Sequence, residues 1–326
     1  VITAVFDPLT WYVDDDLDGD GTSWENALPS IQAAIDVAAD GDTILVNDGF
    51  YAPIVTRNRA ITIRSRNGAG KTVIDGGGVK RCATLGAYTF ERNTILAGFT
   101  LQNGYAECGG GVYGGTLTNC ALTGNEAEID GGGVYGGTLT NCILTGNSTY
   151  DWGGGACGST LHNCLLAGNS SAAKGGGAYY SFMTNCLLID NFARLGGGAS
   201  DSTLRNCTLA SNEAWQQGGG AYDCALANSI IWGNTAPKDE NFYVADDDDD
   251  GEEGDEPEPG DDAGLVYCCT TPLADGQGNI DVTPLFVDPV NGDCRLRAGS
   301  PCVDAGDTAL VSGDDEIDLA GNPRIS

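Results

Sequence analysis

A twelve-residue segment, GGGVYGGTLTNC, occupies residues 109–120 and recurs without a change at residues 131–142. Gly-Gly-Gly triplets begin at residues 109, 131, 153, 175, 196 and 218, so the period is 22 residues with one step of 21. A constant period of this length is typical of a solenoid, in which each repeat buries its apolar face against its neighbours. The repeat therefore constrains the fold more than any other feature of the chain.

The segments between the glycine triplets predict strands. Leu117, Cys120 and Leu122 stand in short alternating runs, bounded by Gly and Asn where the chain must turn. At ~3.3 Å per extended residue, one repeat closes a loop of ~70 Å, which suits a three-sided coil of parallel strands. Successive coils stack ~4.8 Å apart, so each residue lies above its counterpart in the previous coil and residues that pack well on themselves are favoured.

Stacking predicts columns of identical side chains. Asparagines at fixed turns are expected to form hydrogen-bonded amide ladders, and an inward column of cysteines is expected to hold small, buried, free thiols. The ladder residues are Asn119, Asn141, Asn163, Asn185 and Asn206. The thiol column comprises Cys120, Cys142, Cys164, Cys186 and Cys207. A further marker, Asn125 and its counterparts, recurs with the same period, and a tyrosine column, which includes Tyr179, is expected to be structural.

Composition and charge narrow the possible partners. The 326-residue chain carries 46 acidic residues against 15 lysines and arginines, a net charge of −31. This charge argues against a nucleic acid or an anionic membrane surface and favours divalent cations. The sequence has no apolar run long enough to span a bilayer. Low lysine, 13 cysteines and a start at Val1 predict a processed extracellular protein.

The Gly-Gly-Gly and Asn-Cys-x-Leu-x-Gly-Asn coils are similar to those of bacterial polymorphic outer-membrane proteins. The opening WYVDDDLDGDGTSWENALPSIQAAIDVAADGDTILVNDGFY resembles the N-terminal cap and first coil of parallel β-helix proteins, and the segment from NIDVTPLFVDP to DLAGNPRIS resembles a choice-of-anchor Q type C-terminal region. The resemblance implies an all-β, right-handed parallel β-helix with a short N-terminal cap helix and an irregular C-terminal cap, at a bacterial surface or outside the cell. It implies no single function, because this fold hosts lyases, hydrolases, adhesins and passive spacers.

Four regions are expected along the chain. Residues 1–40 are expected to contain an N-terminal strand, an acidic loop and a cap helix with Ser30 as its N-cap. Residues 41–235 are expected to form the coils. Residues 236–264 are expected to be an acidic low-complexity insertion, and residues 265–326 to form the C-terminal cap. Val1–Thr10 is apolar, and two placements are open for it. It packs on its own domain, or it adds as a strand to a neighbouring copy of the chain; in the second case Val1–Thr10 and the C-terminal edge would form the joint of a homopolymer.

Four cysteines of the C-terminal region are candidates for a disulfide. One of Cys268 and Cys269 is expected to bridge one of Cys294 and Cys302, and the sequence leaves the connectivity open.

The segment DDDLDGDGTSWE fits the calcium-loop pattern D-x-D-x-D-G-x5-E. A strand-like segment stands where a helix usually precedes such a loop, so an acidic surface loop is the alternative. The candidate calcium ligands are Asp14, Asp16, Asp18, Asp20 and Glu25.

Exposed aromatic residues in the variable turns could bind a glycan or a partner, or could simply cover the turns. They are Tyr150, Trp152, Phe192 and Trp215. Acids along the coils do not converge by their spacing, so we expect a non-catalytic extracellular or cell-surface structural protein of adhesin or filament-subunit type, with calcium as its candidate stabilising ion. Two alternatives remain: a calcium-assisted polysaccharide lyase, in which an early Arg or Lys meets two or more acids, and a glycan-binding module.

Overall fold

The computed structural model describes residues 8–57, 59–86, 94–244 and 264–310. Within these ranges the chain forms four parallel sheets of 11, 10, 9 and 6 strands and one two-stranded antiparallel hairpin. Neighbouring strands in each parallel sheet come from successive coils, with Thr116 paired to Thr138 and Thr138 paired to Thr160. The predicted parallel β-helix, with about 22 residues per turn, is confirmed.

A regular coil contributes four short strands, one to each parallel sheet, where three sides were predicted. We number the sheets 1 to 4 by decreasing strand count. Sheet 1 contains Thr10–Val13, Thr43–Val46, Thr62–Ser65, Ile95–Ala97, Thr116–Thr118, Thr138–Thr140, Thr160–His162, Phe182–Thr184, Thr203–Arg205, Ala225–Ala227 and Leu265–Val266. Sheet 2 contains Gly49–Tyr51, Thr72–Asp75, Thr100–Gln102, Ala121–Thr123, Ile143–Thr145, Leu165–Ala167, Leu187–Ile189, Thr208–Ala210, Ile230–Trp232 and Cys269–Thr270.

Sheets 3 and 4 complete the coils. Sheet 3 contains Ile54–Val55, Ala83–Thr84, Val112–Tyr113, Val134–Tyr135, Ala156–Cys157, Ala178–Tyr179, Ala199–Ser200, Ala221–Tyr222 and Phe242–Tyr243. Sheet 4 contains Tyr105–Cys108, Glu126–Asp130, Ser148–Thr149, Ser170–Ser171, Phe192–Leu195 and Glu213–Gln217. The parallel strands thus begin before residue 41 and continue beyond residue 235.

The core is a set of stacked aliphatic columns. The middle residue of each three-residue strand points inward, because side chains alternate along a strand, and Leu117, Leu139 and Leu161 are at most 1% exposed. The predicted cysteine column lies in the same interior, with Cys120, Cys164 and their counterparts at most 1% exposed. Identical residues stack because each coil's nearest neighbour is a copy of itself.

The glycine triplets form the corner between sheets 4 and 3. Gly153 adopts a φ of 70°, a conformation that glycine adopts without a steric cost. A Cβ atom on Gly154 would lie 2.2 Å from the carbonyl oxygen of Ser170 in the next coil. The triplets are therefore required both for the bend and for the close approach of neighbouring backbones.

A continuous amide ladder runs through the interior, and it is built by the Asn125 column. From Asn147 onward, each Oδ1 atom accepts from the backbone N and the Nδ2 of the previous asparagine at 2.9–3.1 Å. From Asn125 to Asn234, each Nδ2 also donates to a leucine carbonyl. The rungs are Asn125, Asn147, Asn169, Asn191, Asn212, Asn234 and Asn241.

The asparagines that the sequence analysis named as ladder residues have another role. Asn119, Asn141, Asn163, Asn185 and Asn206 all adopt positive φ values, between 53° and 56°, at the turn between sheets 1 and 2. Asparagine tolerates this left-handed conformation better than most residues. Within this column, Asn163 Nδ2 donates to Asn141 Oδ1.

A seven-residue helix, Ile31–Val37, closes the N-terminal end as predicted. The Ser30 hydroxyl accepts a hydrogen bond from the backbone N of Ala33 at 3.1 Å, and Ile31, Ala34 and Ile35 are buried against the first coils. The strand Thr10–Val13 pairs with Thr43–Val46 and forms the first edge of sheet 1.

The C-terminal region covers the last coil and then folds back. Ile280 exchanges backbone hydrogen bonds with Cys268 and Thr270 at 2.9 and 3.0 Å. The C-terminal strap, which we define as residues 285–310, then contains the hairpin Phe286–Asp288 and Asp293–Leu296 and the 3-10 turns Pro289–Asn291 and Thr308–Leu310.

The strap lies along the outside of the coils. The backbone N and O of Asp307 pair with the side-chain amide of Asn228 at 2.8 and 2.9 Å. A Cβ atom on Gly292 would lie 3.2 Å from Cδ1 of Ile189 on the outer face of sheet 2. The strap therefore spans the coils from Ile189 to the end of the rod.

Candidate functional site

Two columns of outward side chains flank the glycine corner. Asp130, Trp152 and Lys174 occupy equivalent positions in three successive coils, immediately before their glycine triplets. Tyr179 follows the corner, as the second residue of its sheet 3 strand. The corner thus brings residues that lie about one coil apart in sequence onto one surface.

These residues form an aromatic and charged cluster. The rings of Trp152 and Tyr179 stack with centroids 5.4 Å apart and planes 26° apart. The Nζ of Lys174 lies 3.2 Å from Oδ2 of Asp201 and 5.9 Å from the Tyr179 ring centre. Trp152 is 40% exposed, so one aromatic surface of the pair remains open to solvent. We call Asp130, Trp152, Lys174, Tyr179 and Asp201 the corner platform.

Asp130 is the most perturbed carboxyl group of the platform. Burial, and then the charge of Asp151, raise its pKa from 3.8 to about 6. Its Oδ1 atom is buried and has no hydrogen-bond partner among the described residues. Burial and the Asp201 charge also raise the pKa of Tyr179 to about 12. The platform therefore holds a carboxyl group that protonates well above its usual range, next to an exposed indole.

The platform is better suited to binding than to proton abstraction. Stacked aromatic rings present a flat apolar face that can pack on the C–H face of a sugar, and nearby charged groups can hydrogen-bond its hydroxyls. The Lys174 ammonium is engaged by Asp201 and by the faces of two tyrosines, Tyr179 and Tyr222. It is thus positioned as an anchored cation rather than as an uncommitted base.

The four aromatic residues that the sequence singled out are exposed but spread over several coils. Tyr150 is 61% exposed, Phe192 40% and Trp215 52%. Trp215 lines an open depression of about 300 Å³ together with Glu213, Thr235 and Pro237. Trp152 instead stacks with Tyr179, which the sequence analysis assigned to a purely structural tyrosine column. That column is interrupted by Cys157 and Ser200, so it is not one continuous stack.

The acidic loop brings together only part of the predicted calcium site. Oxygen atoms of Asp14, Asp15 and Asp16 lie within 4.8 Å of one another, the one such group of potential metal ligands in the described ranges. Asp14 also accepts from Nδ2 of Asn47 at 2.8 Å. These three carboxylates form a donor set that suits calcium, which prefers oxygen ligands.

The remaining predicted ligands point elsewhere. Asp20 accepts from the backbone N and the hydroxyl of Thr22, which lower its pKa. Hydrogen bonds to its own backbone N and to Ser23 lower the pKa of Glu25. Backbone bonds from Gly19 to Ala27 and from Gly21 to Asn26 close this part of the loop as a hairpin-like turn. Asp18, Asp20 and Glu25 are therefore not gathered around the Asp14–Asp16 group.

The predicted disulfide is not formed, because all thirteen cysteines, each in a described range, are free thiols. Strand alternation explains part of this result. Cys268 points into the core at 0% exposure, and Cys294 lies on the strap hairpin near Asp190. Of the predicted pairs, Cys269 and Cys302 interact: this interaction raises the pKa of Cys269 and lowers that of Cys302 to about 7.

Basic residues of the early coils hold the N-terminal cap and the first corner. Arg57 pairs with Asp36 of the helix at 3.8 Å, and the Arg66 guanidinium lies 4.6 Å from the Trp24 ring centre. Arg81 donates to the carbonyl oxygens of Gly109 and Cys108 at 2.9 and 2.7 Å. The cleft expected for a lyase, with an early base facing two or more acids, is therefore not built by these three arginines.

Two predictions fall largely outside the described residues. Residues 1–7 and the acidic stretch Asp246–Asp262 are not described, and neither is the chain beyond residue 310. Of the segment Val1–Thr10, the described end packs on its own domain, since Thr43 N donates to Leu9 O at 2.9 Å. The homopolymer joint stays a prediction. No helix in the described ranges is long and apolar enough to cross a bilayer.

Comparisons with known proteins identify the fold but no family. No protein-family model matches the chain, and no curated protein matches it. Among solved structures, the pectate lyase Pel9A aligns over 97% of this chain and 96% of its own, with a TM-score of 0.55 and 14% identity. The mannuronan C-5 epimerase AlgE4 A-module of Azotobacter vinelandii aligns over 82% and 87%, with a TM-score of 0.38 and 16% identity. The chain is thus a parallel β-solenoid similar in fold to pectate lyase.

Proposed function

We propose that this protein is a non-catalytic extracellular rod of adhesin type that binds a glycan at the corner platform. The observation that carries the proposal is the stacked, partly exposed Trp152–Tyr179 pair with the Lys174–Asp201 ion pair beside it. An exposed tryptophan held against a second ring is a preorganised surface for a sugar, since little side-chain entropy is lost on binding.

The rest of the rod supports a structural role for the coils. The interior is an unbroken amide ladder with stacked aliphatic columns, so the coils form a rigid support. The acidic surface favours a neutral or amine-bearing glycan over a polyuronate, because the platform contains Asp130 and Asp201, Asp151 lies beside Asp130, and the net charge is −31.

The test is binding of a panel of oligosaccharides by isothermal titration calorimetry. The panel contains a neutral β-glucan oligomer, a chitosan oligomer and a polygalacturonate oligomer. We expect binding of the neutral or amine-bearing oligomer, and a loss of about tenfold or more in affinity for Trp152→Ala, since base- or sugar-stacking aromatics contribute on the order of 1–3 kcal/mol.

Trp215→Ala is the matched control, because Trp215 is also an exposed tryptophan, at 52% against 40% for Trp152, but lies in the open depression at sheet 4. Unchanged affinity for Trp215→Ala with reduced affinity for Trp152→Ala supports the platform. Reduced affinity only for Trp215→Ala would move the site to the depression. No binding by any oligomer would remove glycan recognition and leave a passive rod.

Asp130 favours one alternative, a carbohydrate-active enzyme. A carboxyl group with a pKa of about 6 is suited to act as a general acid near neutral pH. Incubation of the same oligosaccharides with the protein, followed by mass spectrometry of the products, distinguishes the two functions. Cleavage of an oligosaccharide that is abolished in Asp130→Asn would show that the protein is an enzyme rather than a binding module.

A further inference from the structure

Asp130, Trp152 and Lys174 stand in one column of the corner platform, one coil apart. Asp130 and Trp152 are register partners, and so are Trp152 and Lys174. The backbone holds the first pair together, since Gly131 N donates to Trp152 O at 2.9 Å and Trp152 N donates to Ile129 O at 3.1 Å. Neighbouring parallel strands lie ~4.8 Å apart, so an acidic residue and a basic residue flank the indole on its two sides along the rod.

The two charged residues of the column differ in their partners. Lys174 Nζ lies 3.2 Å from Asp201 Oδ2 and over the rings of two tyrosines. Among the described residues Asp130 has no ion-pair partner, and its Oδ1 atom is buried without a hydrogen-bond partner. A buried polar atom without a partner in a native structure requires an explanation, and a ligand group is one. The column thus contains one neutralised cation and one carboxylate that the fold leaves without a counter-charge.

A ligand that covers the indole changes the surroundings of this carboxylate. Asp130 keeps part of its surface in solvent, and the water there solvates its charge. A neutral ring stacked on Trp152 displaces part of that water and supplies no charge, whereas a ring with a protonated amine at its edge replaces the water with a cation. Burial, and then the Asp151 charge, raise the pKa of Asp130, as expected for a charge that lacks compensation.

We infer that the corner platform selects amine-bearing sugars, and that Asp130 binds the ammonium group of a ring stacked on Trp152. This inference rests on the proposed function, because it requires a glycan at the platform. Trp152 supplies a stacking surface that suits any pyranose ring, so it does not discriminate between sugars. Asp130 is the specificity-determining residue, since it distinguishes a free amine from an acetylated amine or a hydroxyl group.

The experiment compares two oligosaccharides of equal length that differ at the sugar nitrogen, a chitosan oligomer and the fully acetylated chitin oligomer. Isothermal titration calorimetry of the full chain is carried out above the pKa of Asp130, which is about 6, so that most of this carboxyl group is ionised. We expect the chitosan oligomer to bind about tenfold or more tightly, because hydrogen bonds between charged groups contribute more than those between neutral groups.

Three variants separate the contributions to this preference. Asp130→Asn should weaken the binding of the chitosan oligomer about tenfold, so that the preference over chitin disappears. Trp152→Ala should weaken the binding of both oligomers. Asp190→Asn is the matched control, because it removes one negative charge from an exposed turn after a sheet 2 strand, where the φ of 54° suits asparagine, and it should keep the preference.

Three results would overturn the inference and leave glycan binding intact. The first is an equal affinity of the parent protein for the two oligomers, and the second is a preference for chitosan that survives in Asp130→Asn. The third is a preference that Asp190→Asn reduces as much as Asp130→Asn does, which would assign it to attraction by the net charge of −31. Failure to bind chitosan, chitin and the neutral β-glucan oligomer would instead refute the proposed function itself.

Discussion

Removal of one rung of the amide ladder tests how the rod is held together. Asn169 is buried at 0% exposure, and its Oδ1 accepts from the backbone N and the Nδ2 of Asn147 at 3.0 and 2.9 Å. Its Nδ2 donates to Leu144 O and to Asn191 Oδ1, both at 3.0 Å. Asn169→Ala therefore leaves two buried donors of Asn147 without their acceptor.

The cost follows from these lost partners. A buried donor left without a partner costs about 1–3 kcal/mol, so the two donors of Asn147 predict a loss of about 2–6 kcal/mol in the free energy of unfolding. Urea unfolding followed by far-ultraviolet circular dichroism measures this loss at constant m-value.

Asn163→Gly is the matched control in the same coil. Asn163 has a φ of 56° in the turn between sheets 1 and 2, a conformation that glycine adopts freely, so we expect a loss below about 1 kcal/mol. A similar loss for both variants, or a loss below about 1 kcal/mol for Asn169→Ala, would refute the reasoning that the inner column holds the coils together.

Three further outcomes are expected. Gly154→Ala should lower the melting temperature far more than Gly146→Ala, because a Cβ on Gly154 meets Ser170 O at 2.2 Å whereas the space at Gly146, where φ is 62°, is open; a larger loss for Gly146→Ala would show that the positive φ matters more than the close approach. The Asp130→Asn variant should become more stable relative to the parent protein as the pH rises from about 4 to about 6. The reason is that folding raises the pKa of Asp130 from 3.8 to about 6, so ionisation of this carboxyl group in that range destabilises the folded parent. A difference in melting temperature between the two proteins that stays constant across this pH range would contradict the prediction. Calcium should raise the melting temperature through the Asp14–Asp16 group, and Asp15→Asn should remove this rise while Asp18→Asn keeps it; the opposite pattern in thermal-shift assays would restore the loop that the sequence pattern describes.

The fold could be predicted because the period is a global property of the chain. Identical residues such as Leu117 and Leu139 recur one coil apart, and parallel in-register stacking is the arrangement that places them in contact. The number of sides could not be predicted in the same way. Gly114 and Gly115 separate two short strands of different sheets, and a glycine pair in the sequence does not say whether the chain bends or continues.

The sequence alone also could not show which of the two asparagine columns forms the continuous amide ladder. Both Asn119 and Asn125 recur with the same period, so periodicity cannot distinguish a turn asparagine with positive φ from a buried one. The backbone decides this, since the first lies at the turn between sheets 1 and 2 and the second is enclosed between coils. The burial of Asn125 depends on how neighbouring coils pack together, which the repeat pattern of the sequence does not show.

The platform was half predicted. Trp152 was singled out because it lies in a variable turn, but Tyr179 was assigned to a structural column because Tyr113, Tyr135 and Tyr222 stand at the same position of other coils. Their contact crosses the corner from one coil to the next, which requires the position of the bend to be known. One signal was available in the repeat itself. Trp152 stands directly before the glycine triplet that begins at residue 153, and Tyr179 stands two residues after the triplet 175–177 of the next repeat, so the two residues lie on either side of the same corner.

The amide ladder has a direction, and this direction determines how such a rod can change its length. Each inner asparagine accepts hydrogen bonds from the asparagine of the previous coil and donates hydrogen bonds to the asparagine of the next coil. The two ends have different partners: Asn125 accepts from Gly104 N, and Asn241 donates to Thr271 O. Inner coils are therefore interchangeable with one another but not with the ends. Duplication or loss of one internal repeat would preserve the hydrogen-bond pattern of the ladder, and the identical segments at residues 109–120 and 131–142 show how little two neighbouring repeats need to differ.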